Sequence, residues 1–236
     1  MRFWNFSNTS GDVVKLRIEG DIVDNESAWL YEWFDDLHTS PNAFRQELEQ
    51  HEGKELHVYV DSYGGSVFAG AGLYSAIKER KGKTIGIVHS KAMSAGTMPL
   101  MACDKVLMSP VANLMIHDPI TSLHGDLAEF EQTVEALTTI KESIVNAYEL
   151  KTDLSRKEIS ELMSNETYMD AEKAVSLGFA DRIIDDGSEI TNTFPADVTN
   201  KTTVASVQKY LELKNQHQKQ ETDSELEIMS LWLETV

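Results

Sequence analysis

Between residues 13 and 116 the chain repeats one pattern: an apolar strand, a loop of small or polar residues, then a helix or another strand. Val14, Leu16 and Ile18 alternate with Val13, Lys15 and Arg17, which predicts a strand closed by Gly20. A helix is expected from about Glu26, where Trp29, Leu30, Trp33, Phe34 and Leu37 form one apolar stripe. Ser40-Pro41 opens a second helix over Asn42–Gln50, since proline is tolerated in a first turn. The strand Glu55–Val60 runs into Asp61-Ser62-Tyr63-Gly64-Gly65-Ser66 and the helix Val67–Lys81. The strand Thr84–Val88 leads through His89-Ser90-Lys91-Ala92-Met93-Ser94-Ala95-Gly96 into an apolar helix ending near Cys103. Strands Lys105–Met108 and Asn113–Ile116 follow. Such alternation predicts an α/β domain with a mostly parallel sheet and right-handed crossovers. Reactive groups in these sheets gather at the carboxyl ends of strands. That singles out Asp61–Ser66, His89–Ser94 and His117–Pro119.

Beyond residue 126 the pattern is helical. Leu127, Phe130, Val134, Leu137, Ile140, Ile144 and Tyr148 recur at a spacing near 3.5 along Asp126–Leu150. A stripe that regular calls for a partner helix or a neighbouring subunit. Ser155 and Glu158 make a capping box for a helix to Met163. Ala171–Leu177, stopped by Gly178, and a strand Ala180–Ile184 complete a domain expected to span 1–186. Residues 187–236 read as a polar linker, Gly187–Thr203, and a helical tail broken between Asn215 and Ser224.

The 21 Lys and Arg against 39 Asp and Glu leave a net charge of −18. A chain this acidic is a poor partner for nucleic-acid phosphates or an anionic membrane surface. No stretch reaches the length of a membrane span, and MRFWNFSNTSG lacks the apolar core of a secretory signal, so a cytoplasmic protein is expected. The single cysteine, Cys103, lies in an apolar run and reads as a buried, inert thiol.

Taken singly, the candidate reactive residues are ambiguous. Gly64-Gly65-Ser66 after a strand makes either an anion-binding turn or merely a tight strand-to-helix corner. Ser94 sits in a small-residue turn opening a helix, as in a nucleophile elbow, although Ala92 replaces the first glycine of that motif. His117 ends a strand and suits a general base, with His89 as its rival. Glu166 and Asp170 are both candidates for an orienting acid, and Asp170 is equally suited to capping a helix.

Together, the order Gly-Gly-Ser, Met-Ser-Ala-Gly, Met-Ile-His-Asp-Pro and Glu-Thr-Tyr-Met-Asp-Ala-Glu-Lys-Ala-Val-Ser-Leu-Gly-Phe-Ala-Asp resembles the proteolytic subunit of Clp protease. Phe3-Trp4-Asn5-Phe6, Val67-Phe68-Ala69-Gly70 and Glu166-Thr167-Tyr168-Met169 look most like the ClpP-like head-maturation proteases of tailed phages and prophages. The resemblance spans about residues 1–185. It implies a ClpP/crotonase-like fold with a protruding handle helix at Asp126–Leu150. It implies a serine endopeptidase with Ser94 as nucleophile, His117 as base, Glu166 in the third triad place and the backbone N–H groups of Gly65 and Ala95 as oxyanion donors. Many relatives carry Asp where Glu166 falls, and Pro where Tyr63 stands. No metal or organic cofactor is implied. The implied partners are protein or peptide substrates, further copies in a hexameric or heptameric ring, stacked in pairs, and capsid or scaffold proteins or a Clp ATPase. Two rivals share the fold: an enoyl-CoA hydratase-like enzyme working through carboxylates, and a catalytically silent capsid scaffold.

Overall fold

The computed structural model describes residues 7–8 and 13–184. Phe3-Trp4-Asn5-Phe6 and the segment 187–236 lie outside the described residues. The elements run β1 (Ser7–Asn8), β2 (Val13–Ile22), α1 (Ala28–Phe34), β3 (His38–Thr39), α2 (Pro41–Glu49), β4 (Glu55–Gly65) and α3 (Val67–Glu79). They continue as β5 (Thr84–Met93), a 3-10 turn (Ser94–Thr97), α4 (Met98–Met101), β6 (Lys105–Met108), β7 (Asn113–Ile116), α5 (Leu127–Glu149), α6 (Arg156–Ser164), β8 (Thr167–Met169), α7 (Ala171–Ser176) and β9 (Arg182–Ile183).

Among the described residues nine strands form one sheet in the order β1-β2-β4-β5-β6-β9, with β3 on β2 and β7 bridging β5 to β8. The ladders are parallel except β1–β2 and β7–β8. This is the mostly parallel sheet flanked by helices that the strand–helix alternation predicts. Val14, Leu16 and Ile18 of β2 are buried, as their alternation requires, and join Leu56, Val58 and Val60 of β4 in the core. Phe44 and Leu48 of α2 and Leu73 and Ile77 of α3 pack into the same core. Cys103 is buried there too, and burial pushes its thiol up to about 12, so the thiolate is disfavoured.

Three strands overrun their expected ends. β2 continues past Gly20 to Ile22, β4 past Val60 to Gly65 and β5 past Val88 to Met93. Register shifts between Glu19 and Asp21 and between Val60 and Ser62 let pairing resume beyond the irregularity. The apolar run to Cys103 is not one helix but a 3-10 turn and the single turn α4. α1 also departs from expectation. Its aromatic stripe is present, but none of its residues is buried, and Trp29 and Trp33 are 64% and 79% exposed.

α5 is divided. Ile144, Val145, Ala147 and Tyr148 are buried in the core, whereas Leu127, Phe130 and Val134 are exposed. The apolar stripe thus packs on its own domain only at its C-terminal end. Both of these helix caps form: Ser155 and Glu158 complete a capping box, and Asp170 accepts from the Lys173 N–H at 2.8 Å.

Candidate active site

Parallel pairing of β5 with β7 aligns Met93 with Met115, so Ser94 and His117 emerge together at the carboxyl ends of neighbouring strands. The Ser94 hydroxyl stands 2.7 Å from His117 Nε2. With Nε2 unprotonated, the hydroxyl donates to it, the arrangement needed to remove the serine proton during attack. His89 is placed elsewhere. Its ring stacks on Tyr59 at 5.5 Å and 4°, and burial, followed by the nearby Arg17, lowers its pKa. Both effects disfavour the imidazolium that a general base must become.

Ser94 has φ +53, a left-handed conformation costing a non-glycine residue about 1–2 kcal/mol. A hydrogen-bond chain holds it. The Thr97 hydroxyl donates to the Ser94 carbonyl at 2.7 Å. That uses its one proton, so the Tyr148 hydroxyl, also at 2.7 Å, donates to Thr97. Tyr148 is fully buried, packs edge-on to Phe179 at 5.4 Å, and burial pushes its phenol up to about 12, so it remains a donor. The buried end of α5 is thereby wired to the serine turn. Neither Thr97 nor the hydroxyl of Tyr148 stood out in the sequence. The available signal was a Ser-x-x-Thr turn and a polar tip on an otherwise apolar stripe.

Gly64 and Gly65 close the other side of the site. Their φ values are +107 and +140, and a Cβ on Gly64 would lie 2.8 Å from Ser94 Cβ and 3.0 Å from the Ala95 nitrogen. A Cβ on Gly65 would lie 2.2 Å from the Ile22 carbonyl oxygen. The glycines therefore permit a close approach of β4 to both β2 and the serine turn. Ser62 braces this corner, donating to the Gly20 carbonyl at 2.6 Å and accepting from the Gly64 N–H at 3.0 Å. Gly65→Ala is expected to destabilise the fold by at least about 1–3 kcal/mol, because strained dihedrals add to a backbone clash. Chemical denaturation of the full chain measures it, and a loss below about 0.5 kcal/mol would contradict this geometry.

A cleft of about 190 Å³ opens between these groups. Gly65, Ser94, Ala95 and His117 line it, with Met98, Ile120 and Ile144 supplying apolar walls. The two nominated oxyanion donors thus belong to residues on the same cleft as the serine hydroxyl.

The acid is the least complete part. β7 and β8 pair antiparallel with Ile116 opposite Thr167, which puts Glu166 across from His117 at the ladder's end. In this conformation the exposed Glu166 has φ +46, and its carboxylate accepts from the Tyr168 hydroxyl at 3.4 Å. Asp170 is occupied in capping α7. Among the described residues, the one side-chain hydrogen bond of His117 is to Ser94.

A serine–histidine pair at strand ends of an α/β sheet, flanked by a glycine corner, is the apparatus of a serine hydrolase. The chain belongs to the Clp protease family: the family model for Clp protease matches residues 46–187. It is also 28% identical over 142 residues to the ATP-dependent Clp protease proteolytic subunit of Deinococcus radiodurans, covering 59% of this chain and 70% of that protein. It is therefore a ClpP-like serine-type peptidase. The hydratase-like alternative is set aside on this membership.

Proposed function

We propose that the chain is a serine endopeptidase in which Ser94 attacks the scissile carbonyl and His117 takes its proton. The observation carrying this is the 2.7 Å contact between Ser94 Oγ and His117 Nε2 beside the glycine corner. His117 then returns the proton to the leaving amine, and water repeats the cycle on the acyl-enzyme. The backbone N–H groups of Gly65 and Ala95 receive the developing oxyanion, an interaction whose loss typically costs about 100-fold or more in turnover. Glu166 orients the imidazole, supported by its place across from His117 at the end of the β7–β8 ladder.

The biological setting proposed is head maturation in a phage or prophage, acting in the host cytoplasm or the procapsid on capsid or scaffold proteins. Val67-Phe68-Ala69-Gly70 and Glu166-Thr167-Tyr168-Met169 support it by their resemblance to that subgroup. No helix among the described residues is long and apolar enough to cross a membrane. Incubating the full chain with unfolded casein and fluorogenic peptides, without nucleotide or ATPase, tests the proposal. Cleavage is expected. Cleavage only when a Clp ATPase is added would favour the alternative, the proteolytic subunit of an ATP-dependent protease. No cleavage with or without it would favour a silent scaffold.

The active form is a hexameric or heptameric ring, stacked in pairs through α5. Leu127 and Val134 are 74% and 63% exposed on a helix whose other end is embedded, and a facing helix would cover them. Sedimentation at micromolar concentration should report a ring or double ring, and a monomer would contradict this.

A further inference from the structure

We infer that Lys141 is a positioning residue for His117, acting through Asp118; the inference rests on His117 being the general base. β7 is fixed up to Ile116 by ladders to β5 and β8. Beyond it, from Asp118 to Gly125, no backbone–backbone hydrogen bond ties the chain to another element among the described residues. The side chain of Asp118 supplies the anchor. Its Oδ1 lies 2.8 Å from Lys141 Nζ, and its Oδ2 accepts from Lys141 Nζ at 3.0 Å and from Ser164 Oγ at 2.9 Å. Lys141 Nζ also donates to Ser164 Oγ at 2.9 Å, closing a triangle between the histidine loop, α5 and α6.

The clasp serves the loop more than the helices. α5 is secured by buried Ile144, Val145, Ala147 and Tyr148, and α6 by buried Ile159 and Met163. The loop has no comparable apolar anchor next to His117: Pro119 is only partly buried and Ile120 is 81% exposed. Asp118 and His117 are adjacent in the chain and line the same cleft, so a shift of one Cα is felt by the other. A general base works only within about 2.6–3.2 Å of the proton it removes. Lys141 is only 20% exposed in its side chain, so the charge-assisted contacts are partly shielded from water.

The test uses the full chain with Lys141→Met, which keeps an apolar stem, and Lys141→Arg, whose guanidinium can engage both carboxylate oxygens. Peptide kcat and KM, the rate of Ser94 acylation by a fluorophosphonate, the unfolding midpoint and the sedimentation profile are read for each. Lys141→Met should lose about 10- to 100-fold in kcat and in acylation rate, as expected for a misplaced base. KM can rise as well, since Ile120 of the same loop walls the cleft, but the loss in kcat and in acylation rate is the effect that marks a misplaced base. Lys141→Arg should recover most of the loss. A kcat within twofold of wild type for Lys141→Met, a change confined to KM, or an Arg variant no better than Met would each overturn the inference. If Lys141→Met loses its fold or assembly, Asp118→Asn takes its place. That variant keeps the shape and the Ser164 contact but removes the ion pair, and it should show the same loss in kcat; an unchanged kcat overturns the inference. A wild-type chain that neither cleaves nor is acylated overturns the peptidase reading itself, which separates the two failures.

Discussion

Ser94→Ala is expected to abolish peptide cleavage, with turnover down by at least about 10⁴-fold, while fold and assembly survive. The loss is large because the attacking oxygen itself is removed, leaving only binding and oxyanion stabilisation to assist attack by water. The fold survives because the hydroxyl has one side-chain partner, His117 Nε2. Alanine keeps the Cβ that already packs against Gly64, and the Thr97 bond to the residue-94 carbonyl is independent of the side chain. Progress curves at matched concentrations, with circular dichroism and sedimentation as controls, measure both halves. Wild-type cleavage by Ser94→Ala would end the assignment.

His117→Ala should be almost as damaging, and combining it with Ser94→Ala should cost little more than either alone. Residues that act as a unit lose their function once rather than twice. His89→Ala supplies the contrast. His89 lies in a stack with Tyr59, away from the serine hydroxyl, so its removal should leave kcat near wild type. If His89→Ala is inactive and His117→Ala active, the base has been misassigned.

Why the sequence separated these two histidines only weakly is a matter of range. His89 is five residues from Ser94 and His117 twenty-three, so proximity along the chain favours the wrong one. The pairing of Met93 with Met115 decides the matter, and no local pattern encodes that register. What is local was legible. The alternation of Val14, Leu16 and Ile18, the capping box at Ser155 and the small-residue turn at Ser94 each follow from a few neighbouring residues. β8 went unread because three residues with an exposed Tyr168 carry no periodicity. The spacing along α5 was legible as one stripe. It gave no sign that Ile144 and Tyr148 meet their own core while Leu127 and Val134 do not, since periodicity reports a face and not its partner. The Asp118–Lys141–Ser164 triangle joins three elements distant in sequence and had no local signature.

The glycine corner shows how far a motif can be taken before geometry is needed. Gly64-Gly65 after a strand fits an anion-binding turn and a plain corner equally well. A Cβ on Gly64 would meet Ser94 and one on Gly65 would meet Ile22, so the corner is close-packed on both sides, and Gly65 lines the serine cleft; the oxyanion role of its N–H belongs to the proposal.

The central claim, that His117 activates Ser94 as the nucleophile, is tested most directly by labelling the full chain with a fluorophosphonate and mapping the adduct by mass spectrometry. One adduct per chain on the peptide containing Ser94 is expected, absent from Ser94→Ala and formed far more slowly in His117→Ala. An adduct on another serine, or labelling of Ser94 at an unchanged rate without His117, would contradict the account.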